Sequence, residues 1–370
     1  MGMPLVAGVT DALNRQFTPA KLQVFNRHWT AHGTGYPSMI FDAFLRVWAT
    51  PGMHYEAKIG WLQREYMKGN GAAARHFYNL HIWLIEQVGQ TLLRCHFDNE
   101  AQMIASARNY GGLKQIAERE MPLWVFSLNH DLCVEIIGAE NGFRVQGGFP
   151  PRVVDFPCLD RLGCLRGRIG FRQILHEELV AGRFEYIPDG EPGLNLVKLH
   201  GALDTYLYTD DHHLLQICPA ASSGAAWIGE LRRIEEGEIY RTHADRTRAV
   251  NEISVADDAG EIQFLRRTLL SGAFKFGRRI AQNAPPELLT FFANKIRELN
   301  RLVVIGYGFG DEHMNRLIEA WLSDDRSRQL LYVSPTGSRP QLLDQFGLQV
   351  SVRNMTAVQF IETDYEVAFT

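Results

Sequence analysis

The sequence predicts an α/β fold with a doubly wound parallel sheet and a largely helical N-terminal region. Three observations lead to this fold class. Short apolar runs typical of buried strands are separated by long helical stretches, which favours a parallel sheet over a β-sandwich. The stretch at 301–315, RLVVIGYGFGDEHMN, has the pattern of a buried strand, a glycine turn and a helix. Residues 5–120 carry apolar stripes near the helical period, separated by turn signals such as YPS and KGNG.

The strand, turn and helix at 301–315 predict a nucleotide-binding unit. Leu302–Ile305 is an apolar, β-branched run short enough for a strand buried on both faces. The glycines of the turn at 306–310 allow the backbone to turn sharply and to approach a ligand closely. Asp311 is a natural N-cap for the helix that follows. A second strand at 330–333 comes after that helix, so the segment reads as one βαβ unit.

These patterns divide the chain into two parts. Residues 1–120 are predicted to be mostly helical and to hold the start of a Rossmann-like domain together with an inserted helical subdomain. Residues 121–370 are predicted to hold the remainder of that domain, with a polar, irregular insert at about 204–260. The elements expected in this second part are strands at 123–127, 195–199, 330–333 and 349–352 and helices at about 171–181, 261–276 and 286–299.

Composition narrows the class of protein. Lys plus Arg is 38 and Asp plus Glu is 42, and a net charge of -4 argues against direct, sequence-specific binding of nucleic acid. There is no apolar run near 18 residues and no signal-peptide pattern, so we expect no membrane span and a cytoplasmic location. The five cysteines include no CxxC pair, so we expect reduced thiols and no metal site.

Polar residues follow three of the predicted strands. Asn129 and Asp131 come just after the strand at 123–127, and His200 comes just after the strand at 195–199. Ligands of open parallel sheets bind beyond the carboxyl ends of the strands, so these residues and the turn at 306–310 are expected to line one crevice. A histidine in such a crevice suits proton transfer. Each residue also has a structural interpretation, since a lone histidine can be structural and Asp131 can be the N-cap of its helix.

The order of these elements resembles the sirtuin-like family, in particular its prokaryotic branch of NAD-consuming antiviral defence effectors. The LNHD at 128–131 looks like that family's N-x-D element, and the KLHG at 198–201 matches its catalytic histidine element. The VVIGYGFGDEHMN at 303–315 is similar to the late glycine motif in its bacterial form, IGYSFGDxHxN. The LRRTLLSGAFKF at 265–276 also looks like a segment found in that branch.

The resemblance implies a set of site residues and NAD as the substrate. Asn129 and His200 would be the catalytic pair, with His200 as general base and Asn129 orienting water or the substrate. The glycine turn would line the ribose and phosphate side, and a serine after the last inner strand would sit near the nucleoside. The residues expected to bind NAD are Asn129, Asp131, His200, Gly306, Tyr307, Gly308, Asp311 and Ser334.

Two departures from the family pattern bear on activity. The family's first motif, a GAGxS turn that cradles the pyrophosphate, is missing, and Gly2-Met-Pro4 looks like the element just downstream of it. A late start codon or truncated sequence would explain this, as would a degenerate or partner-completed site. Without that turn, we expect the chain from Met1 to bind NAD poorly, and we expect a form extended upstream to include the turn to bind NAD well. The two CxxC pairs of the deacylases' structural zinc module are also absent, which points to cleavage of NAD without zinc rather than to deacylation.

The resemblance therefore implies an NAD⁺ glycohydrolase of bacterial abortive-infection defence, which cleaves NAD to nicotinamide and ADP-ribose when activated. It also implies a homo-oligomer with a protein partner such as a HerA-type ATPase. The alternative is a catalytically inactive subunit that binds NAD or ADP-ribose within a defence assembly. A third option, an NAD-dependent protein deacylase, is disfavoured by the missing zinc cysteines.

Overall fold

The computed structural model describes residues 1–69, 71–159, 165–208, 213–236, 252–256, 262–272 and 285–365. These residues form an α/β structure with a helical N-terminal part, two parallel sheets and one antiparallel sheet. The α/β class is the one the sequence predicts. No helix in the described ranges is both long enough and apolar enough to cross a membrane.

The N-terminal part is helical, as its apolar periodicity predicts. Its core is aromatic. The ring centroids of Phe17, Phe44 and Trp48 each lie within 6.5 Å of the Trp83 centroid, and Trp48 lies within the same distance of Phe17 and Phe44. Edge-to-face and tilted ring contacts of this kind stabilise a core beyond the area that they bury. The helices are α1 (Val6–Gln16), α2 (Pro19–Ala31), α3 (Ser38–Trp48), α4 (Tyr55–Lys68), α5 (Ala72–Asp98), α6 (Glu100–Ala107) and α7 (Gly112–Glu120).

Two three-stranded sheets are parallel throughout. The first has the order β1-β5-β2 and the second the order β10-β11-β12. All the strands that the sequence predicts lie in these two sheets, within a residue of the expected bounds. The strands are β1 (Leu123–Ser127), β2 (Val145–Gln146), β5 (Leu194–Lys198), β10 (Arg301–Ile305), β11 (Gln329–Val333) and β12 (Val350–Arg353).

Helices follow these strands. Of the helices expected beyond residue 121, the one at 286–299 is present, as α11 with a short 3-10 turn after it. The helices of this part are α8 (Cys133–Asn141), α9 (His176–Val180), α10 (Gly224–Glu236), α11 (Glu287–Lys295), α12 (Glu312–Asp324) and α13 (Ala357–Gln359).

An antiparallel sheet, which the sequence does not predict, is formed by strands that lie along the chain between β2 and β10, on both sides of β5. Its order is β3-β4-β7-β6-β9-β8. Its strands are β3 (Val153–Leu159), β4 (Leu165–Ile174), β6 (Thr205–Tyr208), β7 (His213–Ile217), β8 (Glu252–Ala256) and β9 (Ile262–Arg267).

This sheet corrects three expectations. The region at about 204–260, expected to be an irregular insert, contains β6, β7, α10 and β8. The expected helix at 171–181 is the end of β4 followed by the short α9, because Ile169 and Phe171 alternate onto a buried face with the period of a strand. The expected helix at 261–276 begins as β9, where Arg267 is buried through an ion pair with Glu235 that no local pattern reveals.

The two parallel sheets share their apolar cores. On one face, Phe126 of β1, Val197 of β5 and Val304 of β10 belong to one apolar cluster. On the other face, Leu123 of β1 and Val303 of β10 pack against a second cluster. Corresponding faces of the two sheets therefore contribute to the same layers, and both sheets place their carboxyl ends at the candidate site.

Candidate functional site

His200 and Asp311 meet at the carboxyl ends of the two parallel sheets. His200 follows β5 by two residues, and Asp311 is the N-cap of α12. His200 Nε2 lies 3.1 Å from Asp311 Oδ2, and the two residues are only 4% and 9% exposed. The structure therefore brings together two residues that the sequence places 111 positions apart, at the edge where the strand ends were expected to converge.

The Asp311 carboxylate is held by the helix that it caps. Its Oδ1 accepts hydrogen bonds from the backbone N–H of His313 at 3.0 Å and of Met314 at 3.3 Å. This leaves Oδ2 directed at His200. A histidine oriented by a fixed carboxylate is the arrangement that general bases use in many enzymes, because the carboxylate stabilises the imidazolium that forms.

Tyr307 shapes the glycine turn from inside. Its hydroxyl lies 2.9 Å from Asn315 Oδ1 and 3.0 Å from the Asp311 carbonyl oxygen, and it accepts from the Asp311 N–H at 3.2 Å. The Tyr332 hydroxyl donates to the Tyr307 carbonyl oxygen at 3.1 Å. Burial raises the pKa of Tyr307, so the hydroxyl stays protonated. The structure thus uses the Tyr307 hydroxyl to brace the turn that carries Asp311.

The glycines of the turn border open space. A Cβ atom built at Gly306, Gly308 or Gly310 would meet no atom within 4 Å, and Gly306 has a φ of +66° that favours glycine. Phe309 takes a positive φ of 53° although it is not glycine, and its carbonyl oxygen accepts from Asn315 Nδ2 at 2.9 Å. Strained backbone held by surrounding contacts occurs often at ligand sites. The turn can therefore receive a ligand directly against its backbone.

Asn129 is exposed on the turn that follows β1. Its N–H donates to Ser127 Oγ at 3.1 Å, and its side chain lies at the surface. The next residue, His130, places Nδ1 3.3 Å from the Gly201 carbonyl oxygen and its ring 6.3 Å from that of His200. The turn that carries Asn129 is therefore joined to the segment that carries His200.

Asp131 lies one residue before Leu132, the N-cap of α8, so Asp131 is not itself the N-cap, and its expected contact with NAD stays a prediction. Its Oδ1 accepts from the Cys133 N–H at 3.0 Å, at the start of α8. Burial opposes its ionisation, but the nearby Lys198 ammonium and the Cys133 hydrogen bond hold the pKa of Asp131 below its usual value. Lys198 Nζ also donates to the Asp131 carbonyl oxygen and forms a buried ion pair of 3.2 Å with Glu135. These contacts fix the turn between β1 and α8.

Ser334 is buried just after β11. Its N–H donates to the Arg353 carbonyl oxygen at 3.0 Å, and its hydroxyl lies 2.9 Å from Thr336 Oγ1. The first contact is with the end of β12, and the second lies within the turn after β11. The expected place of Ser334 near a nucleoside stays a prediction.

Sequence reasoning missed the role of Thr268. Gly201 has a φ of +76°, and a Cβ atom there would lie 1.3 Å from the Thr268 carbonyl oxygen. The Leu270 N–H donates to the His200 carbonyl oxygen at 2.9 Å. The resemblance at 265–276 marked this segment without assigning it a role, and its described part is packed directly behind His200. Residues 273–276 lie outside the described residues.

The cysteines and possible metal ligands add no further site. Cys95, Cys133 and Cys218 are free thiols. Over the described ranges, no group of three or more His, Cys, Asp or Glu residues is arranged to hold a metal ion. Asp210, Asp211 and His212, which are also of residue types that bind metals, lie outside those ranges.

No protein-family model matches this chain, and no curated protein is similar enough to it to be matched.

Proposed function

We propose that this chain is a sirtuin-like NAD⁺ glycohydrolase that cleaves NAD to nicotinamide and ADP-ribose when it is activated. The observation that carries the proposal is the buried pair of His200 and Asp311, which stands next to a glycine turn that borders open space. A carboxylate-oriented base beside a backbone that can contact a ribose or phosphate suits hydrolysis of an N-glycosyl bond.

The proposed reaction needs few protein groups. The bond between nicotinamide and ribose C1′ breaks through an oxocarbenium-like state, and nicotinamide leaves with the electron pair. A water oxygen then bonds to C1′, and His200 takes the proton that this water loses on Nδ1, since Nε2 is the ring nitrogen directed at Asp311. Asn129, which has both a donor and an acceptor, would orient the water or the ribose. Gly306, Gly308 and Asp311 would line the ribose and phosphate side.

The fold proposed for this activity is one doubly wound sheet. β1 and β10 are both edge strands among the strands that the structure describes, and they belong to sheets that share the same two apolar layers. All five residues of β1 are partly exposed, whereas the first four of β5 are buried. One further parallel strand between β1 and β10 would complete an order of β2-β5-β1-x-β10-β11-β12, with its carboxyl end at the site.

The biological setting rests on the motif resemblance alone. It comprises a role in bacterial abortive-infection defence, a cytoplasmic location, a homo-oligomer and a partner such as a HerA-type ATPase.

A second candidate function is a catalytically inactive subunit that binds NAD or ADP-ribose in a defence assembly. The observation that favours it is the burial of the His200 imidazole, which is 4% exposed with Nε2 against Asp311, since a general base must reach the water that it deprotonates.

The test incubates NAD with the chain, together with its partner and an activating signal, and measures products by chromatography. We expect equimolar nicotinamide and ADP-ribose, and at least about 100-fold less of both with His200→Ala. The same assay is run with a form extended upstream to include a GAGxS-type turn. If NAD is unchanged in every form while calorimetry detects its binding, the inactive-subunit function replaces the glycohydrolase.

A further inference from the structure

Residues 268–272 form a short strap, which we define as TLLSG, behind His200. The strap makes four hydrogen bonds to the main chain of residues 200–205, which we call the His200 segment. In one of them Thr268 Oγ1 donates to the Thr205 carbonyl oxygen at 3.1 Å. Thr268 N–H donates to the Thr205 carbonyl oxygen at 2.9 Å, Thr268 Oγ1 accepts from the Ala202 N–H at 3.3 Å, and Leu270 N–H donates to the His200 carbonyl oxygen at 2.9 Å. The strap therefore fixes the main chain from which the His200 ring projects.

The other side of the strap contacts helices α4 and α5. Gln63 Nε2 of α4 donates to the Ser271 carbonyl oxygen at 3.0 Å. A Cβ atom at Gly272 would lie 2.6 Å from Gln63 Oε1, and a Cβ atom at Gly89 of α5 would lie 2.9 Å from Leu269 Cδ1. The strap thus fits closely against both helices, so that a Cβ atom at either glycine would require a neighbouring side chain to move.

Gln63 is itself held in one orientation by α5. Its Nε2 lies 3.1 Å from His81 Nε2, so the two amide hydrogens reach His81 and Ser271. Burial lowers the pKa of His81 to about 4, which keeps the imidazole neutral and able to accept this bond. Gln63 and His81 are 1% and 3% exposed, so water does not replace either contact.

We infer that the strap couples the pair of helices α4 and α5 to His200, and that Gln63 is a positioning residue for His200. The bond at Ser271 and the bond at Leu270 involve adjacent residues of one extended segment. A shift of α4 that moves the Ser271 carbonyl oxygen therefore moves the Leu270 N–H and, through it, the His200 main chain. A partner or assembly contact on the helical part would act on the site by this route. The catalytic meaning of this coupling rests on the proposed function.

The experiment compares the whole chain with Gln63→Leu, which removes both donors at similar volume, and with Gln349→Leu as a matched control. Gln349 is also buried and donates to three carbonyl oxygens, those of Leu322, Asp325 and Arg328. It lies before β12, at the end of the sheet away from His200. Two readouts are used: the His200 imidazole signals in NMR spectra of the histidine-labelled chain, assigned with His200→Gln, and hydrogen exchange of the Leu270 amide.

In Gln63→Leu we expect the His200 signals to move and the Leu270 amide to exchange about tenfold faster, the scale of one lost hydrogen bond. Under activating conditions kcat should fall by about tenfold while KM changes less than about twofold, since positioning of the base and not substrate binding is altered. Gln349→Leu should lower thermal stability with neither effect. Gln63→Met, an unbranched and more adaptable apolar replacement, serves if Gln63→Leu does not fold.

Two outcomes separate this inference from the proposed function. If a folded Gln63 variant leaves both the His200 signals and the Leu270 exchange unchanged, the coupling is overturned whatever the activity. If both readouts change but no form of the chain cleaves NAD, the coupling stands and the glycohydrolase proposal falls.

Discussion

At the scale of single residues, Asp311 uses its two carboxylate oxygens for different tasks. Oδ1 caps α12 through the N–H groups of His313 and Met314, and Oδ2 contacts His200. One side chain therefore provides both the cap of α12 and the contact with His200. A sequence pattern detects the cap, because a cap is a local contact. The contact with His200 depends on the packing of two distant strands and only the structure gives it.

We predict that Asp311→Asn separates these two tasks. Asparagine is as good an N-cap as aspartate, so the free energy of unfolding should change by less than about 1 kcal/mol. The charge that orients His200 and stabilises its protonated form is lost, so NAD turnover should fall at least tenfold, on the order expected when a base loses its orienting partner. Urea unfolding and the nicotinamide-release assay measure the two effects. A full rate with Asp311→Asn would remove the carboxylate from the mechanism.

Asn129→Ala and His200→Ala should each lower turnover by about 100-fold or more, the scale expected when a positioned acid/base group is lost.

We also predict that His81 makes the fold sensitive to mild acid. Its pKa is lowered by burial from 6.5 to about 4, so the unfolded chain binds the proton more readily than the folded chain does. The free energy of unfolding is therefore highest above pH 6.5, where His81 is neutral in both the folded and the unfolded chain. It falls as the pH drops from 6.5 towards 4 and levels off below that. The loss is on the order of 3 kcal/mol at most.

The measurement is urea unfolding between pH 7.5 and 4 for the parent chain and His81→Gln. Glutamine offers an acceptor to Gln63 but does not titrate, so this variant should lose less stability over the same range. Parallel curves for the two chains would show that His81 is not responsible.

At the scale of elements, the segment after β5 and the strap at 268–272 explain why a glycine follows His200. Gly201 turns with a positive φ and passes directly under the Thr268 carbonyl oxygen. The strap continues directly from β9 of the antiparallel sheet, because β9 ends at Arg267. Arg267 is anchored by Glu235 and by the Leu203 carbonyl oxygen. The sheet therefore serves as the support of the site.

We predict that Gly201→Ala destabilises the chain by about 2–5 kcal/mol, because both the backbone conformation and the space forbid a Cβ atom. Gly229→Ala is the matched control, since Gly229 lies inside α10 with no atom within 4 Å of a Cβ atom. That change should stabilise the chain by about 0.5–1 kcal/mol through helix propensity. Thermal and urea unfolding of both variants give the comparison. Equal stability of the two would contradict the close approach of Thr268.

At the scale of the whole molecule, the proposed sheet has an opening between β1 and β10, because no strand of the described residues pairs with either of them on that side. In a strand, every second N–H group points away from a given neighbour. The N–H groups of β1 that point away from β5, and those of β10 that point away from β11, would face that opening. We predict that these amides exchange with solvent deuterium at least about tenfold faster than those of β5 and β11 in the chain alone. Exchange should slow when a parallel strand is supplied by an upstream extension or by the activated assembly. Mass spectrometry of peptides covering 123–127 and 301–305 measures this, and slow exchange in the isolated monomer would argue against an open slot.

The sequence by itself determined all the described parallel strands except β2, the helical N-terminal part, the glycine turn and the Asp311 cap. Each of these is encoded by neighbours in the chain: an apolar run, a helical period, a glycine, a capping residue. It also indicated that His200 and the turn at 306–310 lie at one edge, because parallel strands bring their carboxyl ends together.

Only the tertiary structure decided the antiparallel sheet, the contacts of Asp131 and the support of His200. β4 and β9 contain arginines and glycines that local patterns read as loop or helix, and they become strands because distant partners pair with them and neutralise Arg267. Likewise, Gln63 contacts Ser271 across 208 positions of the chain. Contacts of this kind arise from the packing of distant segments, and a local sequence period carries no information about them.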